Sequence, residues 1–413
     1  MNVLTIILII INIVILVCNI RLICLTLSGL PASYITYPET DKQYRFAVFI
    51  PARNEETCIG RLLDSLAEMD YPDHLKDVYV LLNNCTDRTG EIVQEHGVPV
   101  IRCAPEVKNK AGALKAGFDS LAGHSEIDAF VVFDADTVAD KAFLKELNKV
   151  FAQGHQIVQG KRRGLGLGTN RSWVAQSYEV FYALQNAFFN HPRVRRDLSA
   201  AINGSGWAVS RDIIERYGFD TCTITEDIEY SLQNALNGED IAYCEDAVNY
   251  DDFVSDIRRS MRQRVRWSMG NTQCLRRYSG RLLSKARTSS GTNRREALNC
   301  YDMLIANMMP VFAAIGIVCI TLPIICALCM SVTGTIEGRE LALILASPAV
   351  AWLMTSLISL MALVKAHISP TKCLKGVLLF PLFVITWFPS LVKSFFRKDV
   401  HWAELRKKGH GDK

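Results

Sequence analysis

Ala129-Phe-Val-Val-Phe-Asp-Ala-Asp136 sets five apolar residues directly before two acids that are separated by a single residue. An apolar run of this length, closed by polar residues, reads as a strand buried on both faces. Working outward, Arg45-Phe-Ala-Val-Phe-Ile50 is a second such strand, ending at Pro51, and Asp77 to Leu82 is a third. Glu56 to Glu68 reads as a helix with Ile59, Leu62, Leu63 and Leu66 on one face, and Leu114 to Leu121 as another. Strand and helix alternate, which predicts an α/β unit with a largely parallel sheet. Such sheets bind ligands beyond the C-terminal ends of their strands. The polar clusters Arg53-Asn-Glu-Glu56, Asn83-Asn-Cys-Thr-Asp87 and Asp134-Ala-Asp136 fall at those ends.

The flanks of this unit are different in kind. The chain has 413 residues, of which 49% are hydrophobic, and these concentrate in the first stretch and the last quarter. Val3 to Leu27 is mostly apolar, with no positive charge before it and no small-residue cleavage site. This predicts a retained transmembrane helix over residues 1–28, since about 20 apolar residues span a bilayer. Met303 to Val332, Leu341 to Val364 and Leu374 to Phe396 are long apolar stretches. Pro381 and Pro389 break or kink the last one. If the charged part is cytosolic, four crossings leave the C-terminus outside, whereas Arg397-Lys398 and Arg406-Lys-Lys408 favour the inside. Either the last segment dips in and returns, or its end lies along the surface. The expected organisation is an N-terminal span (1–28), a cytosolic domain (44–255), basic interfacial helices (256–300), a C-terminal membrane region (301–396) and a basic tail (397–413).

A net charge of +4 gives no global basic field, which argues against nucleic acid as a partner. Of the 13 cysteines, the only CxxC is Cys326 to Cys329, inside an apolar run, so zinc and redox readings are poor. Reduced thiols favour the cytosolic side for the central domain. Arg171 to His191 is rich in aromatics and reads equally as a core helix or as a helix in the membrane interface. Ile257 to Arg287 is strongly basic, which suits an anionic surface or phosphate.

Three constellations carry chemistry. Asp134 and Asp136, at the mouth of the sheet, can hold Mg²⁺ or Mn²⁺, which typically takes one or two carboxylates and completes its shell with phosphates. Thr225-Glu226-Asp227 supplies a carboxylate able to act as general base, and also has the pattern of a helix N-cap. In Gln263-Arg-Val-Arg266-Trp267, helical spacing puts Gln263, Arg266 and Trp267 on one face. Arginine there suits a phosphate, and tryptophan suits a sugar ring.

In this order, on an α/β unit flanked by apolar spans, the three resemble the membrane-bound family 2 glycosyltransferases, the group of cellulose, hyaluronan, chitin and poly-N-acetylglucosamine synthases. The resemblance covers about residues 45 to 275. It implies a GT-A type nucleotide-sugar-binding domain with a Rossmann-like mixed sheet, joined to transmembrane helices. It further implies nucleotide contacts from Pro51, Arg53, Glu55, Asn83, Asp87, Lys110 and Asp134, with the metal on Asp136 and Asp134. The family usually carries Asp where Asn83 stands, accepting from uracil; Asn can still accept through its carbonyl oxygen. Catalysis would rest on Asp227 as base, beside Glu226. Gln263 and Arg266 would hold the diphosphate, Trp267 would sit by the acceptor sugar, and Gly204, Ser205 and Trp207 would shape the acceptor site.

The implied reaction is inverting transfer from a nucleotide diphosphate sugar, with uridine the expected base. One acceptor is a growing β-linked polysaccharide, with a small accessory membrane subunit or a homo-oligomer completing the polymer path. The other is a lipid or lipid-linked acceptor that receives one sugar. Both place the protein in the plasma or inner membrane with its catalytic domain in the cytosol.

Overall fold

The computed structural model describes residues 34–166, 172–334 and 338–396, and before them Ile13, Ile20, Cys24, Leu27 and Ser28. Apart from those five residues, the expected N-terminal helix lies outside the described residues, as does the basic tail.

Eight strands form one sheet in the order β3-β2-β1-β4-β7-β6-β8-β5. They are β1 (Phe46–Ala52), β2 (Lys76–Leu82), β3 (Val100–Arg102), β4 (Ala129–Val132), β5 (Thr137–Ala139), β6 (Ile157–Gly164), β7 (Trp207–Ser210) and β8 (Ala242–Asp251). β1 pairs in parallel with β2 and β4, and β2 with β3, as the alternating pattern predicts. The second half departs from a largely parallel sheet, because β7 runs antiparallel to both β4 and β6. β5 is likewise antiparallel to β8, and the sheet is mixed.

The apolar runs are explained by burial on both faces. Phe46, Val48 and Ile50 join one core cluster, while Ala47 and Phe49 join the other. In β4, Ala129 and Val131 face one side, with Phe130 and Val132 on the other. Full burial of one such phenylalanine stabilises by about 1.5–3 kcal/mol. Helix α1 (Ile59–Ala67) buries the predicted face of Ile59, Leu62, Leu63 and Leu66. Helix α2 (Thr89–Glu95) follows β2, and α3 (Lys110–Ser120) covers the opposite face through Ala113, Leu114 and Phe118. Helix α4 (Phe143–Ala152) packs on the first face.

The aromatic segment forms α5 (Trp173–Leu184), which runs on into a π-helical turn over Gln185–Asn190. It is a buried helix: Tyr178, Val180 and Tyr182 pack with Phe253 and with Phe380 and Phe383 from the C-terminal region. Helix α6 (Arg211–Tyr217) follows β7, and α7 (Glu226–Asn237) begins at the predicted Thr-Glu-Asp. The basic stretch is one 33-residue helix, α8 (Ile257–Ser289). Beyond it come α9 (Arg294–Val332) and α10 (Gly338–Lys365), then α11 (Leu374–Ile385) and α12 (Trp387–Phe396).

Three segments, Arg294–Val332, Ile344–Lys365 and Pro370–Phe396, are long and apolar enough to cross a membrane. The first two are 6% buried within the protein over their most apolar stretch and the third is 39% buried, so the third packs far more against its own chain. It breaks at Thr386. Pro381 lies within α11, and Pro389, in the first turn of α12, cannot donate to the carbonyl four residues back, so the helix restarts there. The buried Arg264 fills the break, donating to the Phe383 carbonyl at 2.8 Å and the Thr386 hydroxyl at 2.9 Å.

Candidate active site

A cavity of about 1850 Å³ opens at the C-terminal ends of β1 and β4 and continues between the apolar helices. Pro51, Arg53, Glu55 and Asp87 wall one end, with Asp134, Asp136 and Asp227 at the centre. Met303 and Pro310 of α9, Met354 and Met361 of α10, and Trp387 of α12 wall the other.

Lys110 is the first residue of α3, set there by Asn109, whose side chain caps the helix by accepting from the Gly112 N–H at 2.9 Å. The Lys110 ammonium lies 2.7 Å from Asp134 and 2.9 Å from Glu226, and donates to the Gly204 carbonyl at 2.7 Å. Burial disfavours its charged form, but Asp134 and Glu226 outweigh burial and hold its pKa above the ordinary value. Burial would raise Asp134 in turn, yet Lys110 and then Arg162 keep that carboxyl below its usual range. At Asp136 the unfavourable influences outweigh Arg162. Burial, followed by Asp134 and Asp251, pushes it up to about 7.

Arg162, at the end of β6, donates to Asp251 at 2.7 Å and to the Asn203 carbonyl, with its guanidinium over the Tyr182 ring. The Oδ1 of Asp251 has no hydrogen-bond partner among the described residues. Those residues include no group of three His, Cys, Asp or Glu side chains able to enclose a metal. The crowding of Asp134, Asp136 and Asp251, with one Asp251 oxygen unbonded, nonetheless fits a hard divalent cation held by few carboxylates and completed by substrate phosphates.

Thr225 stands at the N-cap of α7 as expected, but its side chain makes no capping bond. It lies instead under Gly270, where an added Cβ would fall 2.3 Å from its hydroxyl oxygen. That close approach sets the start of α7 against α8, and Asp227, Arg266 and Trp267 all line the cavity. Burial, then Glu226, raises Asp227 to about 6. Gly204, at φ 97, needs the left-handed conformation that glycine tolerates, and an added Cβ would meet Arg162 at 2.9 Å.

Gln263, Arg266 and Trp267 all line the cavity. Gln263 accepts from the Tyr178 hydroxyl at 2.9 Å, and Trp267 stacks on Phe181 with ring centroids 6.4 Å apart. Other expected residues stand elsewhere. Trp207 is 1% exposed and packs on Phe219 and Tyr230, because strand alternation in β7 turns it into the core, away from the cavity. Ser205 is fully buried and accepts from the Asp134 N–H at 3.0 Å, so it braces the loop beneath the acids. Asn83 is fully buried and does not line the cavity. Its carbonyl accepts from Asn84 at 2.9 Å and its amide donates to the Asn109 carbonyl at 3.3 Å, which spends it on the loop. Asp87, though at the cavity wall, accepts from the Thr89 N–H and hydroxyl at the start of α2. Arg162 and Asp251 were not anticipated. The available signal was Lys161-Arg162-Arg163 closing a strand and Asp251-Asp252 closing another.

The match to a family of known proteins follows these elements. The model of the family described as "Glycosyltransferase like family 2" matches residues 43–270, more than half of the chain, and the chain belongs to that family. Relatives include the probable glycosyltransferase YdaM of Bacillus subtilis, 27% identical over 55% of this chain and 55% of that protein. The β-monoglucosyldiacylglycerol synthase of Synechocystis is 24% identical over 59% and 50%. Cellulose synthase 1 of Komagataeibacter xylinus is 25% identical over 58% of this chain and 16% of that one. The chain thus spans about half the length of the first two. In fold it is similar to the mannosyltransferase of Pyrobaculum calidifontis solved with GDP-mannose and Mn²⁺, at a TM-score of 0.61 and 18% identity, covering 87% of this chain and 97% of that one. The mixed sheet with its flanking helices is the GT-A fold.

Proposed function

We propose that this chain moves a sugar from a nucleotide diphosphate sugar to a hydroxyl of a membrane-held acceptor, with inversion at the anomeric carbon. The observation that carries the reading is the continuity of one cavity from the charged loops at Pro51, Asp87 and Asp136 to the apolar helices at Met303 and Met361. A water-soluble donor suits the first end and an apolar acceptor tail the second.

Asp227 takes the acceptor proton. Its raised pKa gives a carboxylate at neutral pH with more proton affinity than an ordinary surface aspartate. Glu226 is engaged by Lys110 and helps to set the charge around its neighbour. Lys110, Arg162 and Arg266 gather positive charge where the diphosphate leaves, in a site screened from water. Asp134 and Asp136 would hold Mg²⁺ or Mn²⁺, whose chemistry is to neutralise the departing diphosphate. The Mn²⁺ in the mannosyltransferase of similar fold supports that assignment.

The apolar lining favours an amphipathic lipid acceptor that receives one sugar, in keeping with the name of the Synechocystis relative. The intact Gln263-x-x-Arg266-Trp267 and the likeness to cellulose synthase support the second reading, a growing polysaccharide. We place the catalytic face in the cytosol, on the strength of the thiols and the basic α8. The test is transfer by the purified protein in lipid, with a panel of radiolabelled nucleotide sugars and Mn²⁺. Label extracted into organic solvent supports a lipid acceptor, and label retained as high-molecular-weight material supports the polymer.

A further inference from the structure

On α8 the cavity lining also includes Ser268, next to Trp267, and Asn271, one turn beyond Trp267 and three residues from Ser268. Asn307 of α9 meets them across the cavity wall. The Asn271 amide donates to the Asn307 carbonyl at 2.6 Å. All three side chains are nearly closed to solvent, Asn271 at 6% exposure, Asn307 at 4% and Ser268 at 1%. Yet Asn271 Oδ1, Asn307 Nδ2 and the Ser268 hydroxyl have no hydrogen-bond partner among the described residues. A buried polar atom left unsatisfied has lost its water without gaining a partner, and destabilises the fold. Three such atoms at one wall of a cavity are accounted for by a polar group that enters it.

The surroundings sharpen the point. Asn307 lies in an apolar helix beside Met303, Ala306, Met309 and Pro310, which also line the cavity. A polar residue in such a segment tends to face a substrate path. Pro310 cannot donate to the Ala306 carbonyl four residues back, which leaves a further acceptor next to Asn307.

We propose that Asn271, Asn307 and Ser268 form the acceptor subsite, and that it takes a neutral hydroxyl in preference to a phosphate. The proposal rests on the reading of the cavity as the acceptor path. A bond between two amides consumes one oxygen and one nitrogen, so one acceptor and one donor remain whichever way both are turned. A hydroxyl donates and accepts, and satisfies both together. A phosphate only accepts, and would leave an amide oxygen unpaired against negative charge. None of the described cavity-lining residues from α9 to α12 is lysine or arginine, and Arg266 of α8, which also lines the cavity, acts on Asp134 at the charged end. Both a neutral glycerolipid and a sugar chain present such a hydroxyl.

The experiment uses the full chain in lipid nanodiscs with its best donor and three acceptor probes: dioleoylglycerol, cellotetraose and undecaprenyl phosphate. Transfer to dioleoylglycerol and little to the phosphate lipid is expected. Asn271→Leu should raise the KM for the accepted probe at least tenfold while the donor KM stays within twofold. Asn307→Asp guards against misfolding, because its carboxylate still accepts from Asn271 and only the donor is lost; the same acceptor-specific rise is expected. Transfer to cellotetraose in place of dioleoylglycerol would overturn the lipid acceptor, and the same rise in KM, read with cellotetraose, would uphold the hydroxyl subsite. Preference for undecaprenyl phosphate, or an acceptor KM unchanged in both variants, overturns it.

Discussion

The Lys110 ammonium stands 2.7 Å from the Asp134 carboxylate, tying the first turn of α3 to the end of β4 at the centre of the cavity. The same ammonium also holds Glu226 and the Gly204 carbonyl, so one side chain joins two loops and the start of α7. Lys110→Met takes the ammonium from between the buried Glu226 and the half-buried Asp134, which keeps only the charges of Arg162 and Arg266. Removing one partner of a buried pair costs about 3–5 kcal/mol. A lower melting temperature and a donor kcat/KM reduced about 100-fold or more are expected, read by thermal denaturation and steady-state kinetics.

Asp227→Asn should lower kcat by about 10²–10⁴. The base acts only as a carboxylate, and its pKa is raised to about 6. So far as this group sets the profile, activity should be half-maximal near pH 6 and fall about tenfold per unit well below it. Stability runs the other way. A folded carboxyl with a raised pKa binds its proton more tightly than the unfolded chain does, so its ionisation destabilises the fold as pH rises from about 4 through the raised value. The variant should thus melt higher than wild type at pH 8 and no higher at pH 4. Full activity in Asp227→Asn would remove it as the base.

EDTA should stop transfer, with Mn²⁺ restoring it. Burial, Asp134 and Asp251 raise Asp136 to about 7, and a cation requires its ionised form. The rise in melting temperature on adding Mn²⁺ should accordingly be larger at pH 8 than at pH 6. Asp136→Asn should abolish both transfer and the Mn²⁺-dependent rise; turnover unaffected by chelator would take the metal out of the reaction.

Trp267 packs in one cluster with Phe181 and Trp387, at 6.4 and 6.1 Å between ring centroids, where the cavity turns apolar. Trp267→Ala should raise the acceptor KM about tenfold or more with a smaller effect on the donor. Equal effects on both would mark a packing role.

Arg264→Met removes the donor to the Phe383 carbonyl and the Thr386 hydroxyl at the break between α11 and α12. A loss of roughly 1–3 kcal/mol is expected from the carbonyl left unsatisfied. Limited proteolysis near residue 386 should quicken, and unaltered cleavage there would argue that the break is held by packing alone.

The first half of the sheet was legible because β1, β2 and β4 are apolar runs with polar ends, and α1 shows its periodicity openly. β6 was not, since Gln159-Gly160-Lys161-Arg162-Arg163 carries no apolar alternation. Its pairing with β7 and β8 gives it strand form, as tertiary context overrides local preference. With β6 and β8 went Arg162 and Asp251, whose ion pair joins strands 89 residues apart in sequence. Asp134, Asp136, Asp227 and Arg266 could be found because each sits in a short local motif. Trp207 was misplaced for the opposite reason: its neighbours Gly204 and Ser205 do border the acids, and one further step along the strand turns the indole into the core. The unpartnered Asn271 and Asn307 lie 36 residues apart and declare themselves only when α8 and α9 are side by side.

The cavity that runs from the Pro51 and Asp87 loops to Met354 and Met361 is walled by surfaces of opposite polarity. With a lipid acceptor, its two substrates arrive from different phases, one counted per volume of water and the other per area of bilayer. Diluting the acceptor with inert lipid should then slow the reaction at constant bulk concentration, so the membrane's own composition becomes a throttle on the rate.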